Sequence, residues 1–174
     1  MLLKRMDNHI ETTKNQVEFE LFAEDLLFVS IDNDVNEQLS IPSYWRRRGR
    51  KVNPPLEIGI NTETGAIKRI AVFIDSADIK EYSININQTS HGSVSIDSSI
   101  FTRANDFVDT DGGYFVFLTN KKLVCLFDEV SMIEESIESG NMGIYVDSSG
   151  YVIGFSIDNL AENQIKMISC LNIL

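Results

Sequence analysis

The sequence predicts an α+β protein, mainly antiparallel β, in which one β unit of two hairpins occurs twice and a helix closes the C-terminus. Three observations predict it. Leu56 to Ile74 (LEIGINTETGAIKRIAVFI) and Met142 to Asn159 (MGIYVDSSGYVIGFSIDN) each set an alternating apolar run, a polar turn closed by Gly65 or Gly150, and a second apolar run. Aligning the glycines puts Ile67, Ile70 and Val72 on Val152, Phe155 and Ile157, which repeats one buried face. Upstream, Phe19, Leu21, Leu27, Val29, Ile31 and Asp32 align without a gap with Phe115, Phe117, Leu123, Cys125, Phe127 and Asp128. Tight turns join nearly all of these runs, so antiparallel pairing is expected. Two units that each carry an apolar face bury it most readily against one another, as a sandwich or as one shared sheet.

A single domain, 1–174, is expected to hold these parts. Residues 1–16 are polar and mixed in sign and read as a short helix or a frayed arm on which little depends. The first repeat, 17–74, opens with two strands about a turn at Ala23 to Asp25. Its connector, 33–55, contains IPSYWRRRGRKVNPP, bracketed by the chain's three prolines, Pro42, Pro54 and Pro55. Proline disfavours helix and central strand alike, so an irregular loop is expected there. The linker, 75–113, alternates at Tyr82, Ile84 and Ile86 and again at Val94 and Ile96, giving one or two further strands about a turn at Ser90 to Gly92. The second repeat, 114–159, has its first turn at Thr119 to Lys121. Its connector, EVSMIEESIESGN, spaces Val130, Ile133 and Ile137 as a short amphipathic helix ending near Gly140 would. Over 160–174, Leu160, Gln164, Met167, Ile168 and Leu171 share a helical face, with Asn159 as the expected N-cap.

With 43% hydrophobic and 24% charged residues the composition is that of an ordinary globular protein. A net charge of -11 and a pI near 4.5 argue against nucleic-acid binding, which needs clustered cations. The same charge attracts a basic partner. No apolar stretch reaches membrane-helix length or resembles a secretory leader, so no membrane is expected and the cytoplasm is the expected compartment. Cys125 and Cys170 accordingly read as small buried hydrophobes and not as a disulfide.

Catalytic chemistry finds little support. His9 and His91 have no nucleophile or carboxylate at a recognised spacing, and GxSxG, HExxH, CxxC and P-loop patterns do not occur. Neither an enzyme nor a cofactor is expected. Asp106, Asp109 and Asp111 lack the spacing and closing glutamate of an EF-hand and read as a turn, so no metal is expected. Asp32 and Asp128 read as ends of equivalent strands. The densest chemistry is Tyr44, Trp45, Arg46, Arg47, Arg48, Gly49, Arg50 and Lys51, with five of the chain's 15 basic residues and its one tryptophan. Arg and Trp dominate binding hot spots, so Tyr44, Trp45, Arg46, Arg47, Arg48, Arg50 and Lys51 are the candidate partner-binding residues. An equal alternative is self-neutralisation against acidic surface of the same chain or of a twin. The contact reading requires an exposed Trp45 and arginines that are dispensable for folding.

The run Tyr145 to Ile157 (YVDSSGYVIGFSI) resembles the D-x-x-G-x-[VI]-x-G-[hydrophobic] hairpin of small bacterial β-proteins of the DUF2283 type, with a poorer echo at Asn61 to Val72, where Arg69 replaces the second glycine. In size and acidity the chain is similar to cytoplasmic immunity proteins of bacterial toxin systems. That likeness implies a non-enzymatic inhibitor that sequesters a protein partner. A small-ligand module with a pocket between the repeats and a structural homodimer are the alternatives.

Overall fold

The computed structural model of the chain describes residues 2–10, 14–33, 41–49, 54–103, 105–130 and 132–171, without the side chains of 7–10. Those residues are mostly strand, with one α-helix near the C-terminus. Strands β1 (Arg5–Ile10), β2 (Asn15–Ala23), β3 (Leu26–Asn33), β4 (Ser43–Arg48), β5 (Leu56–Ile60) and β6 (Ile67–Asp75) precede three linker strands, β7 (Asn85–His91), β8 (Ser93–Ile96) and β9 (Phe107–Asp111). Then follow β10 (Phe115–Thr119), β11 (Lys122–Leu126), β12 (Met132–Ser139), β13 (Met142–Val146), β14 (Val152–Ile157) and helix α1 (Glu162–Cys170).

Two six-stranded sheets result, in the orders β2-β3-β6-β5-β4-β9 and β10-β11-β14-β13-β12-β7, together with a ribbon of β1 and β8. In each large sheet a hairpin comes first, then the two strands of a glycine hairpin, then a connector strand, and last a linker strand. Pairing is antiparallel except at β4–β9 and β12–β7, which are parallel. The sheets are thus mainly antiparallel, as expected, and the two parallel pairs arise because linker strands return over long connections to close both sheets.

The glycine hairpins match in detail. In the first, Ile60 lies opposite Ile67 and Gly59 opposite Arg69, leaving Lys68 as a bulge. In the second, Val146 lies opposite Val152 and Tyr145 opposite Gly154, leaving Ile153 as a bulge. Both turns are Asx turns: Asn61 Oδ1 accepts the Glu63 N–H at 2.8 Å, and Asp147 Oδ1 accepts the Ser149 N–H at 2.9 Å. The upstream hairpins differ more. Leu27 lies opposite Ile74, whereas Leu123 lies opposite Ile157, the residue aligned with Val72. The gap-free upstream alignment thus keeps the face but not the register, and the first hairpin is the longer one.

One buried cluster draws on both large sheets, the ribbon and α1, through residues such as Val29, Trp45, Ile70, Leu3, Ile96, Cys125, Phe155 and Ile168. A second cluster, Phe115, Phe117, Val124, Leu126, Ile133, Tyr145 and Ile153, is packed by Tyr82, Ile84 and Val130.

Several expectations are corrected. The segment around Trp45 is no irregular loop: β4 lies inside its sheet between β5 and β9. Ser43, Trp45 and Arg47 alternate inward there, so period-two burial holds although two of the three are polar. The connector of the second half is strand β12 and not a helix, with Ile133, Ser136, Ile137 and Ser139 buried. The N-terminal arm is also ordered strand, since Leu3 is fully buried and β1 pairs with β8. Helix α1 is capped at Ala161, whose N–H is accepted by Gln164 Oε1 at 2.8 Å, while Asn159 takes a left-handed φ of 58° in the preceding turn. Leu21 is 49% exposed and Cys170 is exposed. No described helix is long and apolar enough to cross a membrane.

The ribbon holds the two glycine turns together. On the β8 side, the Ile96 N–H donates to Gly65 O at 2.8 Å. On the β1 side, the Arg5 N–H donates to Gly150 O at 2.9 Å and the Val152 N–H to Leu3 O at 2.8 Å.

Candidate functional site

Strand β4 divides the candidate binding residues between two environments. On its inner face Trp45 is fully buried, its ring centroid 5.4 Å from that of Phe127. Arg47, only 4% exposed, reaches across to the second half of the chain. Its Nε donates to Gly113 O at 2.8 Å, and its Nη2 donates to Phe127 O at 2.8 Å and pairs with Asp128 Oδ1 at 3.2 Å. Buried charge is tolerated where hydrogen bonds and a counter-charge satisfy it, and the planar fork of arginine meets several acceptors at once.

On the outer face Tyr44 stacks on Phe107 at 5.6 Å, and the Arg46 guanidinium lies 4.5 Å from the centre of the same ring. Arg46 Nε donates to Asp109 Oδ1 at 2.6 Å, and Arg48 Nη2 meets Asp109 Oδ2 at 2.8 Å. The hydrogen bond from Arg46, with the charges of Arg46 and Arg48, holds the Asp109 carboxyl below its usual range. Arg50 and Lys51 lie outside the described residues. The exposed Trp45 that a contact loop requires is therefore overturned, and Arg46, Arg47 and Arg48 neutralise acids of their own chain.

The other acidic candidates are likewise engaged. Asp106 accepts the hydroxyl and N–H of Thr102, at 2.8 and 3.1 Å. Asp32 meets Arg69 at 3.6 Å, so it and Asp128 each face an arginine. His91 is exposed, 4.0 Å from Glu138. Among the described residues no three His, Cys, Asp or Glu side chains are grouped to hold a metal ion.

Two hollows flank the linker segment that follows β6. A cavity of about 320 Å³ is bordered by Gly49 and Pro54 from the first half, Asp78, Lys80 and Gly113 from the linker, and Tyr114 from the second half. Asp78 is buried, and its Oδ2 accepts the Asp75 N–H at 3.1 Å. A larger hollow, about 540 Å³, lies on the other side of Lys80 against Tyr82, Phe117, Leu118 and Ile168. Lys80 itself pairs with Glu129 at 3.1 Å and sits 4.9 Å from the centre of the Phe115 ring.

A third polar group lies on the second sheet. Lys122 Nζ sits 3.0 Å from Asp158 and 3.7 Å from Glu138. Burial opposes the charge on Lys122, but these carboxylates outweigh it and raise its pKa above the usual lysine value. Near it the Tyr145 hydroxyl is buried, and burial pushes its phenol up while a hydrogen bond with Ser156 opposes the shift. A side chain at Gly143 would strike the Ser156 hydroxyl, 2.6 Å from where its Cβ would stand.

Sequence reasoning singled out Trp45 and the arginines but put them on the surface; it missed Asp78, Lys80 and Lys122, which no motif marks. No protein-family model matches this chain, and no curated protein is found similar to it.

Proposed function

We propose that the chain is a non-enzymatic cytoplasmic binding protein that sequesters a basic protein partner, in the manner of an immunity-type inhibitor. The supporting observation is that Arg46, Arg47 and Arg48 are held by Asp109 and Asp128, while the chain carries a net charge of -11. Three of the five cations in the densest basic segment are thereby directed inward or neutralised, and the surface offered to a partner is acidic. Such a surface speeds encounter with a cationic protein and rejects anionic ones. The framework fits a duplicated unit whose copies pack on each other: strand order, bulge positions and Asx turns correspond between the two sheets.

Capture from host lysate, followed by reconstitution of any captured protein with the purified chain, tests this reading. The expected result is a stoichiometric complex with a basic protein whose affinity falls with salt. A complex indifferent to salt, or with an acidic protein, would overturn it. The cavity between the halves favours a second reading, a small-ligand module. Native mass spectrometry of the chain as purified from its host would show a bound metabolite if that reading holds.

A further inference from the structure

We propose that the outer edge of β2 is the docking site, and that its occupant is an extended segment of the partner in which apolar residues alternate with Lys or Arg. This inference rests on the reading that the partner is a basic protein. The two sheets differ at their first strand. The outer edge of β10 is covered by the chain itself: the Val116 N–H donates to Asp78 O at 2.8 Å and the Lys80 N–H to Val116 O at 2.9 Å. No described residue pairs with the outer edge of β2, which has nine residues. An uncovered strand edge presents unpaired N–H and C=O groups and accepts an added strand.

The side chains of β2 specify what that strand must carry. Val17, Phe19 and Leu21 alternate on the inner side, where Val17 and Phe19 are half-buried at the margin of the main core. Glu18 and Glu20 alternate on the outer side and are exposed, with Gln16 Nε2 donating to Glu18 at 3.0 Å. A strand laid beside β2 would extend the core with its apolar residues and place its other side chains against the two glutamates. Lysine or arginine there is favourable. A second copy of the chain would set glutamate near glutamate, so charge selects a basic strand over self-pairing. The edge is also held in shape: the Asn141 N–H donates to Asn15 Oδ1 at 3.2 Å at one end, and Phe22 packs edge-on against Phe73 at 5.6 Å at the other.

The probe is a synthetic alternating Lys/Val peptide of the length of β2, with a version N-methylated at every second amide and an alternating Glu/Val peptide as controls. Backbone hydrogen exchange and isothermal titration are read on the full chain. The Lys/Val peptide is expected to slow exchange in β2, and the two controls are expected to fail. Glu18→Lys/Glu20→Lys should weaken binding about tenfold, as reversal of two cross-strand charge pairs implies. Unchanged exchange in β2, equal binding of the N-methylated peptide, or β2 protection that grows with protein concentration through self-association would each overturn the proposal. The N-methylated control leaves the protein unaltered, so the test does not depend on the variant folding. A basic partner still bound by the Glu18→Lys/Glu20→Lys chain would overturn the edge and leave the sequestering reading intact. Peptide binding at β2 with no basic partner in the lysate would do the reverse.

Discussion

Arg47 donates from Nη2 to the carbonyl of Phe127 at 2.8 Å, joining strand β4 of one sheet to the end of β11 in the other. The same side chain donates to Gly113 O, so one buried arginine satisfies a carbonyl at the end of the linker and one in the opposite half. Arg47→Ala would leave both carbonyls and the Asp128 carboxylate without this donor. The expected cost is about 2–4 kcal/mol, read as a lower urea midpoint. Arg48→Ala, on the exposed face, should cost less than about 1 kcal/mol. A combined alanine replacement of Arg46, Arg47, Arg48 and Arg50 is therefore expected to destabilise the chain, contrary to the sequence-based expectation that these arginines are dispensable for folding.

Trp45 supplies a direct optical check on the same region. It is fully buried beside Phe127, so its emission should be blue-shifted relative to free tryptophan and resist quenching by iodide. Unfolding should shift the emission red and admit the quencher. Native emission like that of free indole would contradict the placement of β4.

The two turn glycines should respond unequally to alanine. Gly150 has a φ of 78° and open space around it, so Gly150→Ala carries only the left-handed penalty, about 1–2 kcal/mol. Gly65 has a φ of 74°, but a Cβ there would collide with Ile96 O and Ser95 Oγ of the docked ribbon. Gly65→Ala should lose clearly more stability, and thermal melts of the two variants measure the difference.

Asp109 predicts an acid-sensitive contribution to stability. The hydrogen bond from Arg46 lowers its folded pKa below the unfolded value. Its stabilisation is complete above the unfolded pKa and is lost as pH falls through the folded one. Asp109→Asn should therefore melt lower than the parent chain at neutral pH, and the gap should close as the pH drops below about 4.

The thiols should separate cleanly. Burial pushes the Cys125 thiol well up and shields it, whereas Cys170 is exposed near the end of α1. Native protein should react with a thiol reagent at Cys170 alone, and at both cysteines once unfolded.

The glycine hairpins were legible because Ile, Val and Phe alternate on both arms and a glycine stands where φ must be positive. Strands β4 and β12 were hidden because their inward positions include Arg47, Ser43, Ser136 and Ser139, which break the hydrophobic alternation without breaking the burial. Just before and within β12, Val130, Ile133 and Ile137 also satisfy a helical spacing, so the period alone could not decide. The parallel places of β7 and β9 depend on partners far along the chain and leave no local signal. Among the binding candidates, residue types were readable but exposure was not: an arginine cluster reads as surface by default, and only the fold supplies the carbonyls that let Arg47 go inside.

The β1–β8 ribbon sets an order of events for a chain made from its N-terminus. Leu3 finds its seat only when Val152 arrives, and the Arg5 N–H waits for Gly150, so residues made before β2 finish locking only once β14 has been made. Closure over such a span is slow compared with hairpin formation. Until it happens, the half already made lacks the second sheet that buries Trp45 and Arg47. A bulky fusion placed directly before Leu3 would then slow maturation of both halves at once, whereas the same fusion after α1 would leave the clasp free to close.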